Sequence, residues 1–517
     1  MNETRSLFVK TLPLFTLLIV AIAWLARPAS AARSQTSPDF TAVDAYVEAE
    51  MKKLRVPGLA LAIVQDDQIV HLQGFGVVSP SGPPVTAQTP FIIGSLSKNF
   101  TALAVMQLVE AGKVDLDAPV QRYLPWFRVA DMEASASITV RHLLNQTSGF
   151  STKAGRDQPS DLSAGALEQR VRSFRTAQLT QPVGTTYQYS GANYATLGMI
   201  VQAVSGQPYE TYVQQQIYAP LEMTNSFTSQ SDAQPHGTAT GYRYWFGLPF
   251  AADLPYNRAS LPQGYLISSA EDMSHYLIAQ LNAGRYANAS VLLPAGIAAM
   301  QQPDVDTGDS ETFYGFGWKV GPTNGVPTLW HDGSVFNFHA NMVLIPDGRW
   351  GIVILKNAYS LPDEITGLNR LSGIAAGVTN LLVGQQPPAT PSAAGLFIFY
   401  AIPLLFVALQ VIGMVRSSKT LRLWQAYPER QPRRWLSRLG RIGLPLGLNL
   451  LWALLILFGL PRSFGVPLPM LIAGIPDLGL VLAASAVIAL VWSVLWIVLA
   501  FFTLRGTSAF HLVGEHV

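Results

Sequence analysis

Three long apolar stretches close this chain, at about 394–415, 442–460 and 478–504, and none of them contains a charged residue. Each is near the roughly 20 residues that cross a bilayer as a helix. In lipid, every backbone N–H and C=O needs a partner within the segment, so a helix is the form open to each. Residues 394–517 are therefore expected to be a membrane region of three helices, with the lipid bilayer as a partner.

The charges divide at the same boundary. Residues 391–517 hold 10 Lys/Arg against 3 Asp/Glu, a balance of +7, while residues 32–390 hold 21 against 28, a balance of −7. An acidic soluble part is not a nucleic-acid binder. Eight Lys/Arg and one Glu lie between Arg416 and Arg441. The positive-inside rule puts this loop, 416–441, in the cytoplasm. The first span then enters from outside, the second exits and the third re-enters. At the other end, Arg5 and Lys10 precede an apolar run from Thr11 to Leu25, followed by Ala29-Ser30-Ala31. That is the pattern of a cleaved signal peptide over 1–31, with an uncleaved anchor as the alternative. Both readings export residues 32–384. A Pro-rich linker at 385–393 separates this domain from the membrane region. The chain has no cysteine, which excludes disulfides, thiolate metal sites and a cysteine nucleophile.

Within the exported part, Gly58–Gln65 and Gln68–Gly76 read as strands around an Asp66-Asp67 turn. A helical run from about Ser95 to Ala111 follows, and the middle to about 300 is mostly helical, including 192–204 and 271–281. Strand-like runs return at 314–320, 328–331, 336–345 and 350–356, before a helical pattern at 362–383. Strands at both ends with helices between predict an α+β domain. Its antiparallel sheet is completed by both ends and flanked by helices, with a helical middle subdomain.

Ser95-Leu96-Ser97-Lys98 stands at the head of that first helical run. Residues three apart share a helix face, so the lysine amine can hang over the Ser95 hydroxyl. A serine needs an adjacent base to become a nucleophile. The spacing alone also suits a capping serine and a solvated lysine. However, Phe100–Val109 carries no charge and is apolar on all sides, so the helix is buried. A lysine there needs a task or a partner.

Residues 40–384 resemble the serine β-lactamase and penicillin-binding-protein superfamily, in the branch of class C β-lactamases, D-Ala-D-Ala carboxypeptidases and related esterases. The resemblance rests on the order of several short motifs. These are Ile93-Gly94-Ser95-Leu96-Ser97-Lys98, 112–117 (GKVDLD), 138–144 (ITVRHLL), Thr147-Ser148-Gly149, Tyr189-Ser190 before Asn193-Tyr194, and His331-Asp332-Gly333. It implies a β-lactamase/transpeptidase-like fold and a serine hydrolase. Ser95 would be acylated and Lys98 would take its proton. Tyr189, rather than nearby Tyr187, would share the acid/base work. His331 and Gly333 would occupy the third motif, and the N–H groups of Ser95 and Ser334 would form the oxyanion hole. No cofactor or metal is implied.

Gly191 departs from the pattern, because the second motif usually ends in asparagine, whose amide contacts the substrate and the lysine. Asn193 does not replace it, since the pattern carries an asparagine there too. This weakens a β-lactam or peptide substrate and leaves the chemistry of Ser95 intact. Gln146 stands where histidine is common. No G-x-S-x-G elbow or H-E-x-x-H cluster is present. A His331/His339 metal pair is a weak alternative, and His71, His142 and His275 read as ordinary packed or surface residues. The expected protein is a membrane-anchored, extracytoplasmic serine hydrolase of an ester, D-amino peptide or β-lactam-like carbonyl. The alternative is a sensor of cell-wall ligands or penicillin that acylates, stalls and signals through its helices. A transporter is disfavoured, because the spans lack ionisable residues.

Overall fold

Eight strands form one antiparallel sheet in the computed structural model, which describes residues 39–156, 160–309, 311–432, 434–465 and 467–511. The signal peptide expected at 1–31 lies outside these residues. The strands are β1 (Gly58–Gln65), β2 (Gln68–Gly76), β3 (Val305–Asp306), β4 (Phe313–Tyr314), β5 (Lys319–Thr323), β6 (Val326–Val335), β7 (Phe338–Ile345) and β8 (Trp350–Lys356). Their order is β2-β1-β8-β7-β6-β5-β4-β3. β1 lies against β8 with Ala62 opposite Val353, so strands from the two ends of the domain pair within one sheet, as expected. β7 and β8 are buried at every position, so helices cover both faces and the strands read as unbroken apolar runs.

Two helices of the middle region set the site. α1 (Ser97–Glu110) is buried along nearly its whole length and packs against α2 (Gly191–Ser205), whose N-terminus is capped by the Ser190 hydroxyl. α3 (Ala270–Leu281) packs on β1 and β8. The run expected as one strand at 314–320 is two strands, because Gly317 turns the chain at φ +83. The helix expected at 362–383 is likewise two, α4 (Leu361–Ile365) and α5 (Arg370–Leu382). Left-handed Gly367 and Asn369 break it at φ +70 and +44.

The C-terminal part forms a bundle of three helices long and apolar enough to cross a membrane, α6 (Ala394–Ala426), α7 (Leu444–Phe464) and α9 (Pro476–His511), with the short α8 (Leu468–Gly474) between the last two. Polar side chains join the three long helices. Gln410 of α6 donates to Asn449 of α7 at 3.0 Å, and Trp452 of α7 donates to Ser485 of α9 at 2.9 Å. The outward positions are apolar, Phe397, Leu409 and Val491 among them. The first helix does not stop at 415. No Gly or Pro interrupts 414–427, so Arg416, Lys419 and Arg422 of the expected basic loop are helical. α8 was not expected, since seven residues leave little hydropathy signal.

Candidate active site

The Ser95 turn is built before the helix begins. Gly94 takes φ +57, and Gly94–Leu96 make one 3-10 turn that leads into α1. Ser97 locks this turn: its hydroxyl donates to the Gly94 carbonyl at 2.8 Å and accepts the Leu266 N–H at 3.1 Å. The second serine of the motif is therefore structural, and Ser95 is left half-buried at the cavity wall.

Lys98 is 2% exposed. Its Nζ donates to Ser95 Oγ at 2.9 Å and to the backbone carbonyl of Gln263 at 2.6 Å. It also lies 4.8 Å from the ring centre of Tyr189. Burial pushes the Tyr189 phenol well up, and a hydrogen bond with Ser95 partly offsets this. Ser95, Lys98 and Tyr189 thus share one set of contacts. Tyr187 packs on Tyr314 at a tilt, with ring centres 5.4 Å apart.

Strand β6 closes the site from the other side. A β-carbon on Gly333 would lie 2.1 Å from the Ile93 carbonyl and 3.1 Å from Ser95 N. One on Gly94 would lie 2.6 Å from Ser334 N. This glycine pair lets β6 and the serine turn approach closely, with Ser334 N beside Gly94 and Ser95 N beside Gly333. His331 is 2% exposed, donates from Nδ1 to the Asp332 carbonyl at 2.7 Å and faces the Tyr314 hydroxyl at 3.4 Å through Nε2. Burial first, then Lys98 and Lys319, holds its pKa well below the usual histidine range, so the ring is neutral.

Gln146 and Asn193, neither prominent as a sequence signal, organise the second motif. Gln146 accepts from Ser190 N at 2.9 Å and from Asn193 Nδ2 at 2.5 Å, while Asn193 Oδ1 accepts from Ser148. Asn193 is thereby turned into the packing beneath the motif. A β-carbon on Gly191 would lie 1.9 Å from Gln263 Oε1 and 2.6 Å from the Gly155 carbonyl. The space next to Gly191 is already filled by the side chain of Gln263. No motif marks Gln263, because its contact with Lys98 is made by its backbone.

Behind β6, Lys356 donates to Asn341, and Asn341 donates to Asp332. His339 bridges the Ser334 and Ser372 hydroxyls at 3.0 Å each and does not pair with His331. His71 pairs with Asp44 at 2.8 Å, His142 completes the helix cap at Thr139, and His275 contacts the Leu221 carbonyl at 2.9 Å. Among the described residues, no group of three or more His, Cys, Asp or Glu could hold a metal ion.

The sheet, the buried lysine on a serine at a helix start, and the strand laid along that serine define the class of β-lactamase-like, penicillin-binding-protein-related hydrolases. The chain belongs to the β-lactamase family, whose profile matches residues 43–376. Protein flp of Staphylococcus aureus (strain COL) is 26% identical over 332 residues, covering 63% of this chain. The chain spans 65% of the length of that relative. Penicillin-binding protein 4 of Amycolatopsis lactamdurans is 30% identical over 351 residues, 65% of this chain and 90% of that protein. The solved octameric penicillin-binding protein homologue from Pyrococcus abyssi aligns with a TM-score of 0.60 at 26% identity, over 68% of this chain and 79% of its own. EstCE1 aligns with a TM-score of 0.54 at 24% identity, over 62% and 93%, and shares the fold.

Proposed function

We propose that the chain is a membrane-anchored serine hydrolase working through a Ser95 acyl-enzyme. The observation that carries this reading is the buried Lys98 amine 2.9 Å from Ser95 Oγ, with Tyr189 hydrogen-bonded to the same serine. Ser95 Oγ bonds to the substrate carbonyl carbon, and its proton passes to Lys98 by way of Tyr189. The oxyanion is met by the N–H groups of Ser95 and Ser334, with Gly333 allowing their approach. The bond to the leaving group breaks as Tyr189 returns the proton to that group. Water then cleaves the acyl ester, releasing the acid and regenerating Ser95. His331, neutral and fixed, shapes the substrate side of the cleft.

In this reading residues 32–384 form an exported domain after a signal peptide at 1–31. Segment 385–393 is the link to the membrane, and the basic stretch 416–441 lies in the cytoplasm. Substrates are small or cell-wall-derived esters, D-amino peptides or β-lactams. The filled space beside Gly191 favours esters. A fluorophosphonate labels the wild type and fails to label Ser95→Ala; equal labelling of both would overturn the reading. Hydrolysis of p-nitrophenyl esters, D-Ala-D-Ala peptides and nitrocefin by the full chain then sorts the substrate. A stable acyl-enzyme without turnover would instead mark a sensor.

A further inference from the structure

The cleft does not end at the catalytic domain. One cavity of about 870 Å³ runs from Ser95, Lys98 and Tyr189 past Ser334 to walls made by the membrane helices. Its far end is lined by Ile456 and Leu460 of α7, Leu471 of α8, and Leu478 and Leu482 of α9. The near end is polar and the far end is aliphatic. A cavity of this size suits a ligand of drug-like dimensions or a chain of comparable volume.

The helix ends are fastened to the catalytic domain. Lys153 donates to the Arg462 carbonyl at 2.6 Å, Arg243 to the Ala473 carbonyl at 2.8 Å, and Phe246 N to the Asp477 carboxylate at 2.7 Å. A β-carbon on Gly474 would lie 2.7 Å from Leu361 and 3.1 Å from Phe336, so α8 lies directly against the catalytic domain. Simple tethering needs one helix and no contact with a cleft. Here residues of α7 and α9 and one face of α8 complete the wall of the cavity that holds Ser95.

Building on the Ser95 reading above, we propose that the substrate is a membrane amphiphile. Its reacting carbonyl sits at Ser95 and its aliphatic chain lies along the groove of α7, α8 and α9. The helices then supply part of the substrate site as well as an anchor. An apolar chain leaving the bilayer meets a mostly apolar lining, Leu460, Phe464, Leu468 and Phe336 among it, before the polar centre. Each methylene that stays out of water adds to binding.

The test uses the full chain in lipid nanodiscs and a series of alkyl fluorophosphonates, from ethyl to dodecyl. In each reaction Ser95 Oγ bonds to phosphorus, fluoride leaves, and the serine proton passes to Lys98 by way of Tyr189. The expected result is a labelling rate constant that rises on the order of tenfold or more from the short to the long chain. Leu460→Trp and Leu471→Trp fill the groove from two walls, and each brings the long-to-short ratio down toward one. Because the readout is a ratio within one protein, partial misfolding does not imitate it. A flat or falling series with Ser95 still labelled overturns the amphiphile proposal and leaves the hydrolase reading standing. An unchanged ratio in both Trp variants does the same, since partitioning into lipid alone would then explain the rise. Absence of labelling with every reagent overturns the hydrolase reading, and this proposal with it.

Discussion

The side-chain carbonyl of Gln263 occupies the space that a β-carbon on residue 191 would need, 1.9 Å from its position. The glycine of the second motif and this glutamine are a matched pair. Gly191→Asn forces overpacking and lowers stability by about 1–3 kcal/mol. Adding Gln263→Ala removes one of the two clashes and leaves the Gly155 carbonyl, so the double variant recovers part of the loss. Thermal melts of the two single variants and the double variant measure this coupling. Strictly additive losses would show that the two residues are independent.

Replacing the proton carriers tests the serine centre itself. Lys98→Ala and Tyr189→Phe each lower kcat/KM by about 10²–10⁴ with little change in folding, because proton transfer by a positioned group is worth that much. Steady-state kinetics on whichever ester the wild type cleaves decides the matter. A loss below tenfold in Lys98→Ala would remove it from the role of base.

Gly333→Ala probes the approach of β6. Its new methyl meets the Ile93 carbonyl, 2.1 Å from the ideal β-carbon position. β6 must retreat and carry Ser334 N away from the oxyanion. The expected loss in kcat is about 10²–10³, the cost of one oxyanion donor. Gly373→Ala in α5 has open space around it and serves as the control with wild-type kinetics.

The Lys356 network gives a pH dependence of stability. Burial pushes the Lys356 ammonium down to about 7 from an ordinary value of 10.5, against the pull of Asp332. Between these values the unfolded chain holds a proton that the folded chain lacks, so stability rises with pH across that window. Below about 7 both states carry the proton and the contribution is absent. Lys356→Met removes the titration. The Tm of wild type relative to this variant therefore climbs from pH 7 to pH 9, by an equivalent of up to about 3 kcal/mol. Parallel Tm curves would place the Lys356 pKa outside that range.

Ser95 and Lys98 are legible in the sequence because their relation is local, three residues along one helix face. Tyr189 and His331 come from distant parts of the chain. Only the family order of motifs joins them to Ser95, and the sheet then brings β6 there. The role of Gln263 is invisible in a string of side chains, since a backbone carbonyl reaches Lys98 from 165 residues away. Hydropathy locates the three long helices and misplaces the end of the first, because a helix ends where its backbone is interrupted. The break at Gly367 and Asn369 was missed for the complementary reason: the apolar pattern continues across it.

The pairing of β1 with β8 sets a schedule for making this protein. About 290 residues separate the two strands. At roughly 5–20 residues per second, ribosomes need between about 15 and 60 s to produce the missing partner. Throughout that interval β1, with almost wholly apolar side chains, has one unpaired backbone edge, the kind that recruits strands from other chains. A pause in translation between the two strands lengthens the exposure. It lowers the yield of folded protein without altering any residue that touches substrate.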